Sequence, residues 1–150
     1  MTEKYPEVVV GTYIFDARGN ILLTRSPKWN NQWIIQGGHA EYGESIFGCA
    51  IREAKEEVGL DIEPIGVISI GEDIFPKAFR SKRHFIYFEV ICKASSKKVR
   101  PDNRETTEFV WVAPQKAIKM VKQPLIKKVL RNYIRQKRAG EPEYIDLKPG

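Results

Sequence analysis

The chain has 150 residues and a formal net charge of +6, with 42% hydrophobic and 29% charged residues. This composition is that of a soluble globular protein with a hydrophobic core, and it excludes a disordered or fibrous chain. No apolar run approaches the roughly 20 residues of a membrane span, and the first residues lack a signal-peptide core. We therefore predict one domain over residues 1–150, ordered from about 6 to 136, with a loose tail over 139–150.

The first third of the chain predicts a β-hairpin followed by a short strand. Strands are predicted at Glu7–Phe15, Ile21–Arg25 and Trp33–Gln36. The turn residues DARGN at 16–20 separate the first two strands. A loop at 26–32 precedes the third strand, which leads into Gly37 and Gly38.

The segment from Ser45 to Val58 predicts an amphipathic helix, because its apolar residues recur at helical spacing. Glu53, Glu56 and Glu57 lie three and four residues apart, which places their carboxylates side by side on one face. Like charges at this spacing destabilise a helix by a few tenths of a kcal/mol per pair. A divalent cation that prefers oxygen ligands is a natural compensation, although most glutamate-rich helix faces are simply solvated surface.

The rest of the chain predicts three strands and two helices, and hence an α/β fold. The strands are Asp61–Asp73, with a bend or bulge at Pro64 and Gly66, then Phe85–Lys93 and Glu108–Val112. The helices are Gln115–Met120 and Leu125–Gln136. Cys49 and Cys92 fall within predicted elements, so we expect buried thiols in a reducing cytoplasm.

The segment from Gly38 to Leu60 has a highly specific pattern. Glycine, five residues, glutamate, seven residues and then Arg-Glu-Ala-Lys-Glu-Glu-Val-Gly-Leu fill all seven fixed positions. This pattern resembles the signature box of the Nudix (MutT-like) hydrolases. The resemblance implies a mixed β-sheet sandwiched between α-helices, an α/β/α arrangement. Two departures are Ala54, where the family has a larger aliphatic residue, and Gln36, where it generally has proline.

The resemblance also implies a metal site and its chemistry. One to three Mg²⁺ or Mn²⁺ ions would bind Glu53, Glu56 and Glu57, with the Gly37 carbonyl as a further candidate ligand, although pure turn geometry explains the glycine pair equally well. Arg52 and Glu44 would orient these carboxylates. The general base would be Glu53 first, with Glu105 or Glu108 as alternatives and then Glu72 or Asp73. The reaction implied is hydrolysis of a phosphoanhydride in a nucleoside diphosphate linked to another group.

For the substrate contacts, the sequence leaves alternative interpretations open. The candidates are Trp29, Gly38, Phe75, Phe79 and Arg80, whose aromatic and basic groups could stack a nucleobase and hold phosphate. Packing for Trp29 and an exposed basic hairpin for the others are the competing interpretations. A proline sixteen residues past Leu60, here Pro76, resembles the ADP-ribose pyrophosphatase subgroup, although plain turn chemistry also explains it. The short chain favours a nucleoside triphosphate or modified nucleotide.

Two further functions stay open at this point. Nine Lys or Arg residues and no acid occur over 115–138, which favours either a solvated helix face or an RNA-binding face. If the basic stretch binds RNA, the second possible function is hydrolysis at the 5′ end of RNA. The third is a non-catalytic nucleotide sensor, which usually lacks the box carboxylates that this chain retains. We expect no membrane partner, and a homodimer is left open.

Overall fold

The computed structural model describes residues 4–102 and 106–139, with the side chains of 137–139 excepted. In this part of the chain, one sheet contains strands β1 (Glu7–Phe15), β2 (Ile21–Arg25), β3 (Trp33–Ile34), β4 (Gln36–His39), β5 (Ile62–Ile74), β6 (His84–Ala94) and β7 (Glu108–Val112). The helices are α1 (Ile46–Val58), α2 (Pro114–Met120) and α3 (Pro124–Ala139). The strand order is β3-β2-β1-β6-β5, with β4 paired to β1 and β7 paired to β2.

The sheet is mixed, because β1 and β6 are parallel whereas the other pairs are antiparallel. Side chains of β1 alternate between two hydrophobic clusters. Val10 and Ile14 pack on one face with the buried side of α1, including Ala50. Tyr13 and Phe15 pack on the other face with residues of α2 and α3. The predicted α/β/α arrangement is therefore confirmed.

Helix α1 begins and ends as its sequence predicts. Ser45 is the N-cap, and its hydroxyl accepts a hydrogen bond from the backbone N–H of Gly48 at 2.9 Å. Gly59 follows the last helical residue with φ of 68°, a left-handed conformation that glycine adopts without steric cost. These two caps fix the ends of the helix that carries the clustered glutamates.

The entry to α1 differs from the prediction. The expected single strand Trp33–Gln36 is divided, since Trp33 and Ile34 pair with β2 whereas Gln36 begins β4 and pairs with Thr12. Gly37 belongs to β4 rather than to a turn. A Cβ atom at Gly37 would lie 2.3 Å from the carbonyl oxygen of Val10, so this close pairing requires a glycine.

Strand β5 has the irregularity predicted at Pro64 and Gly66, where its register against β6 shifts. A second, unpredicted shift occurs between Val67 and Ser69. Helices α2 and α3 both begin with proline, which suits the first helical position because its missing N–H would have no partner there. Ala139, predicted to begin the loose tail, is instead the last residue of α3, and residues 140–150 lie outside the described part of the chain. No described helix is long and apolar enough to cross a membrane.

Candidate active site around Arg52

Arg52 is the centre of a charged cluster on α1. Its Nε donates to Glu44 Oε2 at 2.7 Å, and its Nη2 donates to Glu44 Oε1 at 2.9 Å. This two-point geometry matches a planar guanidinium to a carboxylate. Arg52 Nη1 also donates to Glu53 at 2.9 Å and to Glu56 at 3.3 Å. One guanidinium therefore holds three carboxylates whose negative charges would otherwise repel one another.

The same contacts keep Glu44 and Arg52 ionised. Hydrogen bonds from Arg52 lower the pKa of Glu44 to about 2, although partial burial acts in the opposite direction. The pKa of Arg52 is raised, first by its hydrogen bonds to Glu44 and then by those to Glu53, against the effect of burial. The backbone N–H of Glu41 donates to Glu44 Oε1 at 3.1 Å and so attaches the preceding loop to this cluster.

Glu53 lies against the backbone of β4. A Cβ atom at Gly38 would stand 2.3 Å from Glu53 Oε1, so only glycine leaves room for this carboxylate. The Glu53 side chain is 14% exposed, whereas that of Glu56 is 59% exposed. Cys49, beneath the cluster, has its pKa raised to about 12, chiefly by burial, and is therefore an inert thiol.

The donor set suits a hard divalent cation. Within the described residues, no three acidic, histidine or cysteine side chains already converge as a ready-made metal cluster. Glu53, Glu56 and Glu57 nevertheless share one helix face, and the Gly38 cradle turns Glu53 toward the backbone that includes Gly37. Mg²⁺ is usually held by a few carboxylates together with water and substrate phosphates, so an open set of this kind fits it.

The other predicted acids lie apart from this cluster or outside the described residues. Glu108 pairs with Arg25 at 3.5 Å on the β2–β7 side of the sheet. Glu72 is 3.6 Å from His84, and Asp73 is exposed on β5. Glu105 is not among the described residues. Of the candidate general bases, the structure therefore brings only Glu53 into the Arg52 cluster in the part of the chain that it describes.

Phe79 belongs to an aromatic cluster that reaches the Arg52 cluster through His39. The rings of Phe79 and Phe85 are 5.3 Å apart, and the Arg83 guanidinium lies 4.8 Å from the Phe79 ring. The ring of His39 lies 6.4 Å from that of Phe85, and its carbonyl oxygen accepts a hydrogen bond from Arg52 at 3.0 Å. The aromatic cluster and the Arg52 cluster therefore meet at His39, and the substrate role of Phe79 stays a prediction.

The remaining predicted substrate residues are exposed. Phe75 directly follows β5 with φ of 56°, and its backbone N–H donates to the Arg83 carbonyl at 2.8 Å, which closes the following loop. Trp29 is 46% exposed on a short 3-10 turn, with Lys28 Nζ 5.8 Å from its ring. Arg80 is exposed in the loop between β5 and β6. Their substrate roles stay predictions.

Sequence reasoning missed Glu89, a carboxyl group that is 2% exposed on β6. It packs over Gly11 of β1, where a Cβ atom would lie 2.1 Å from Glu89 Oε2. Burial raises the pKa of Glu89 to about 7, and the nearby Tyr13 hydroxyl only partly opposes this. The Tyr13 hydroxyl itself lacks a well-formed hydrogen bond in the described structure. The available signal was one acid within the apolar run FIYFEVICK.

Comparisons with known proteins agree with this architecture. The family model described as NUDIX domain matches residues 5–135. The solution structure of the E. coli ORF135 protein has a TM-score of 0.73 at 21% identity, covering 93% of this chain and 96% of that one. At this identity the likeness concerns the fold.

Two curated relatives extend the comparison. The m7GpppN-mRNA hydrolase NUDT17 of Xenopus laevis is 26% identical over 71% of this chain and 41% of its own length. The NAD-capped RNA hydrolase NudC of Stutzerimonas stutzeri (strain A1501) is 27% identical over 94% of this chain and 49% of its own length. The chain thus spans less than half the length of either relative.

Proposed function

The chain belongs to the Nudix family, and from that premise we propose that it is a divalent-metal-dependent pyrophosphohydrolase. It cleaves a phosphoanhydride bond in a nucleoside diphosphate linked to a further group. The observation that carries this proposal is the Arg52 cluster, in which one guanidinium holds Glu44, Glu53 and Glu56 while Gly38 leaves room for Glu53. Phosphoryl transfer depends on such positioning and charge neutralisation more than on covalent work by the protein.

The chain's own residues have distinct tasks in this reaction. Glu53, Glu56 and Glu57, with the Gly37 carbonyl, would hold Mg²⁺ or Mn²⁺. When bound, such an ion neutralises phosphate charge and lowers the pKa of a coordinated water. Arg52 and Glu44 are positioning residues, because their two-point contact fixes the guanidinium that orients Glu53.

Proton transfer falls to a carboxylate near the attacked phosphorus. Water attacks that phosphorus, the bond to the bridging oxygen breaks, and the carboxylate accepts the proton of the water. Glu53 is the first candidate for this base because its carboxylate lies against Gly38 of β4, beside the expected metal site; Glu105 and Glu108 are the alternatives. Phe79, which is 40% exposed, would offer an aromatic face to the nucleoside.

The experiment is a product screen by mass spectrometry with Mg²⁺. Its panel holds nucleoside triphosphates, oxidised nucleotides, ADP-ribose, nucleotide sugars, dinucleoside polyphosphates and 5′-capped or triphosphorylated RNA. We expect at least one compound to be cleaved at a phosphoanhydride, with turnover that rises from pH 6 to 9. Nucleotide binding without any cleavage would instead support the non-catalytic sensor.

A second candidate is hydrolysis at the 5′ end of RNA. The printed names of both curated relatives refer to RNA substrates. The basic helices α2 and α3 supply the specific feature in this chain, since a cationic surface favours a polynucleotide over a free nucleotide. Cleavage of capped or triphosphorylated RNA in preference to every free nucleotide in the panel would select this candidate.

A further inference from the structure

A cavity of about 490 Å³ lies between the edge strand β5 and helix α3. Ser69 and Gly71 contribute to its wall on β5, whereas Lys128, Arg131 and Arg135 contribute to its wall on α3. A second cavity, of about 370 Å³, lies beside α2 and is lined by the same two arginines. These arginines therefore stand between two adjoining depressions, and we call the combined surface the α3 groove.

The cations of the α3 groove are free of acidic partners in the described part of the chain. Lys128, Arg131 and Arg135 are exposed, and their spacing of three and four residues places them on one helix face. The row extends over roughly 10 Å of helix axis. No Asp or Glu occurs from Pro114 to Gln136. A row of uncompensated positive charge suits an extended polyanion better than a single phosphate.

One guanidinium of the groove is held in place by a neighbouring side chain. Asn132 Oδ1 accepts a hydrogen bond from Arg135 Nη2 at 2.7 Å and so steadies that guanidinium. None of the residues lining the groove is aromatic.

The groove lies well away from the Arg52 cluster. Glu53 lies against Gly38 of β4 on the α1 face, whereas the groove lies beside β5 on the opposite face. The path β4-β1-β6-β5 crosses three strand spacings of about 4.8 Å each. A single nucleotide bound at the box would not reach Arg131 or Arg135, but a polynucleotide passing around the β5 edge would reach them.

We propose that the α3 groove binds the sugar–phosphate backbone of a single-stranded RNA whose 5′ end occupies the Arg52 site. This proposal rests on the RNA candidate of the proposed function. Lys128, Arg131 and Arg135 contact successive phosphates. Phosphate contacts fix position without reading sequence, and the absence of aromatic residues in the groove agrees with binding that does not depend on base stacking.

The test measures binding of a fluorescent 5′-triphosphorylated 20-nucleotide RNA by anisotropy, without divalent metal so that the RNA stays intact. The groove variant is Lys128→Gln/Arg131→Gln/Arg135→Gln. The matched control, Arg18→Gln/Lys93→Gln/Lys98→Gln, removes three exposed charges elsewhere. Each lost phosphate contact reduces the slope of log K against log salt by about 0.7, so we expect a decrease of about 2 in the groove variant and at least tenfold weaker binding. The control variant should retain the salt slope and the RNA affinity of the wild type.

Several outcomes would overturn the proposal. Equal weakening in both triple variants would mean that only the overall charge attracts RNA. If the groove variant lost binding to phosphatidylserine vesicles while its RNA binding stayed unchanged, the groove would be a membrane surface. The variant Arg131→Lys/Arg135→Lys keeps both positive charges and should therefore keep the wild-type salt slope. Unchanged circular dichroism in all variants would show that the groove variant binds RNA weakly because it lost charge and not because it misfolded.

A final comparison separates this proposal from the proposed function. Hydrolysis of the best free nucleotide should be equal in the wild type and the groove variant, since that substrate does not reach the groove. If the groove variant lost this activity, the groove would belong to a small-molecule site and the RNA proposal would fail. If the wild type cleaved nothing yet bound RNA through the groove, the proposed function would fail instead.

Discussion

Arg52 on α1 donates a 3.0 Å hydrogen bond to the backbone carbonyl of His39 on β4. The side chain of His39 lies on the other side of that connection, with Nε2 3.0 Å from Glu7, which also pairs with Arg83. Because Arg83 lies over the rings of Phe79 and Phe85, the carboxylate cluster and the aromatic cluster share one backbone residue. A shift of β4 would therefore move both clusters together.

Glu57→Gln tests the metal-site assignment. It removes a charged oxygen ligand, so we expect kcat to fall at least roughly a hundredfold while the melting temperature changes little. Steady-state kinetics on the substrate found in the product screen provide the measurement. Glu63→Gln, an exposed change on β5, is the matched control and should leave kcat intact. Near wild-type turnover in Glu57→Gln would contradict the assignment.

Arg52→Lys tests the organising role of the guanidinium. Lysine keeps the charge but not the two-point contact with Glu44, so the carboxylates lose their common partner. We expect the free energy of unfolding to fall by about 2 kcal/mol and kcat to fall at least tenfold. Chemical denaturation and kinetics measure the two effects, with Arg18→Lys as the exposed control. Unchanged stability would mean that the cluster is held by other contacts.

Glu44 predicts where acid destabilises the protein. Its pKa is about 2 in the folded state and near 4.5 when unfolded, so the folded state binds fewer protons over this interval. The stabilisation is complete above pH 4.5 and is lost as the pH falls toward 2. In Glu44→Gln this contribution is absent, so the free energy of unfolding should decrease less between pH 5 and 2.5 than in the wild type. Parallel curves from urea titrations would refute this.

For Glu89, the predicted pH dependence of stability has the opposite sign from that of Glu44. Burial raises its pKa to about 7, so its ionisation costs stability as the pH rises from 4.5 through 7. The titratable groups that interact with it electrostatically are Tyr13 and Tyr87, neither of which is cationic. Glu89→Gln should therefore gain stability relative to the wild type at pH 8.5, by at most about 3 kcal/mol, and show little difference at pH 5.

Denaturation midpoints at the two pH values measure the effect of Glu89→Gln. Glu63→Gln, which removes an exposed carboxylate from β5, should show no such pH-dependent difference. A Glu89→Gln protein that is destabilised equally at pH 5 and 8.5 would show that the side chain matters through packing rather than through its charge.

The elements that sequence reasoning located correctly are those whose signals are local. Helix α1 is specified by apolar periodicity together with a serine cap and a glycine stop, all within fifteen residues. The fixed spacing of Glu53, Glu56 and Glu57 likewise follows from helix geometry alone. Pro64 and Gly66 marked a bulge because neither suits a regular ladder position.

The features that escaped prediction depend on which distant strand lies alongside. Glu89 is buried because the parallel pairing of β1 with β6 sets it beside Gly11. Nothing near either residue in the sequence identifies that partner. The division at Ile35 has the same origin, since Trp33 pairs with β2 whereas Gln36 pairs with β1. At these positions, the pairing with distant strands outweighs local propensity in setting burial and strand boundaries.

The parallel pairing of β1 with β6 also has a consequence for how the chain folds. Glu7 pairs with Phe85 and Phe15 with Lys93, so one edge of β1 stays unpaired until residues that are synthesised much later are available. Contacts between such distant segments carry a high cost in loop-closure entropy and slow the folding of a small domain. A nascent chain that ends before β6 would present the apolar β1 as an open edge, ready to pair with another chain. Completion of β6 is therefore the step that covers this edge of β1.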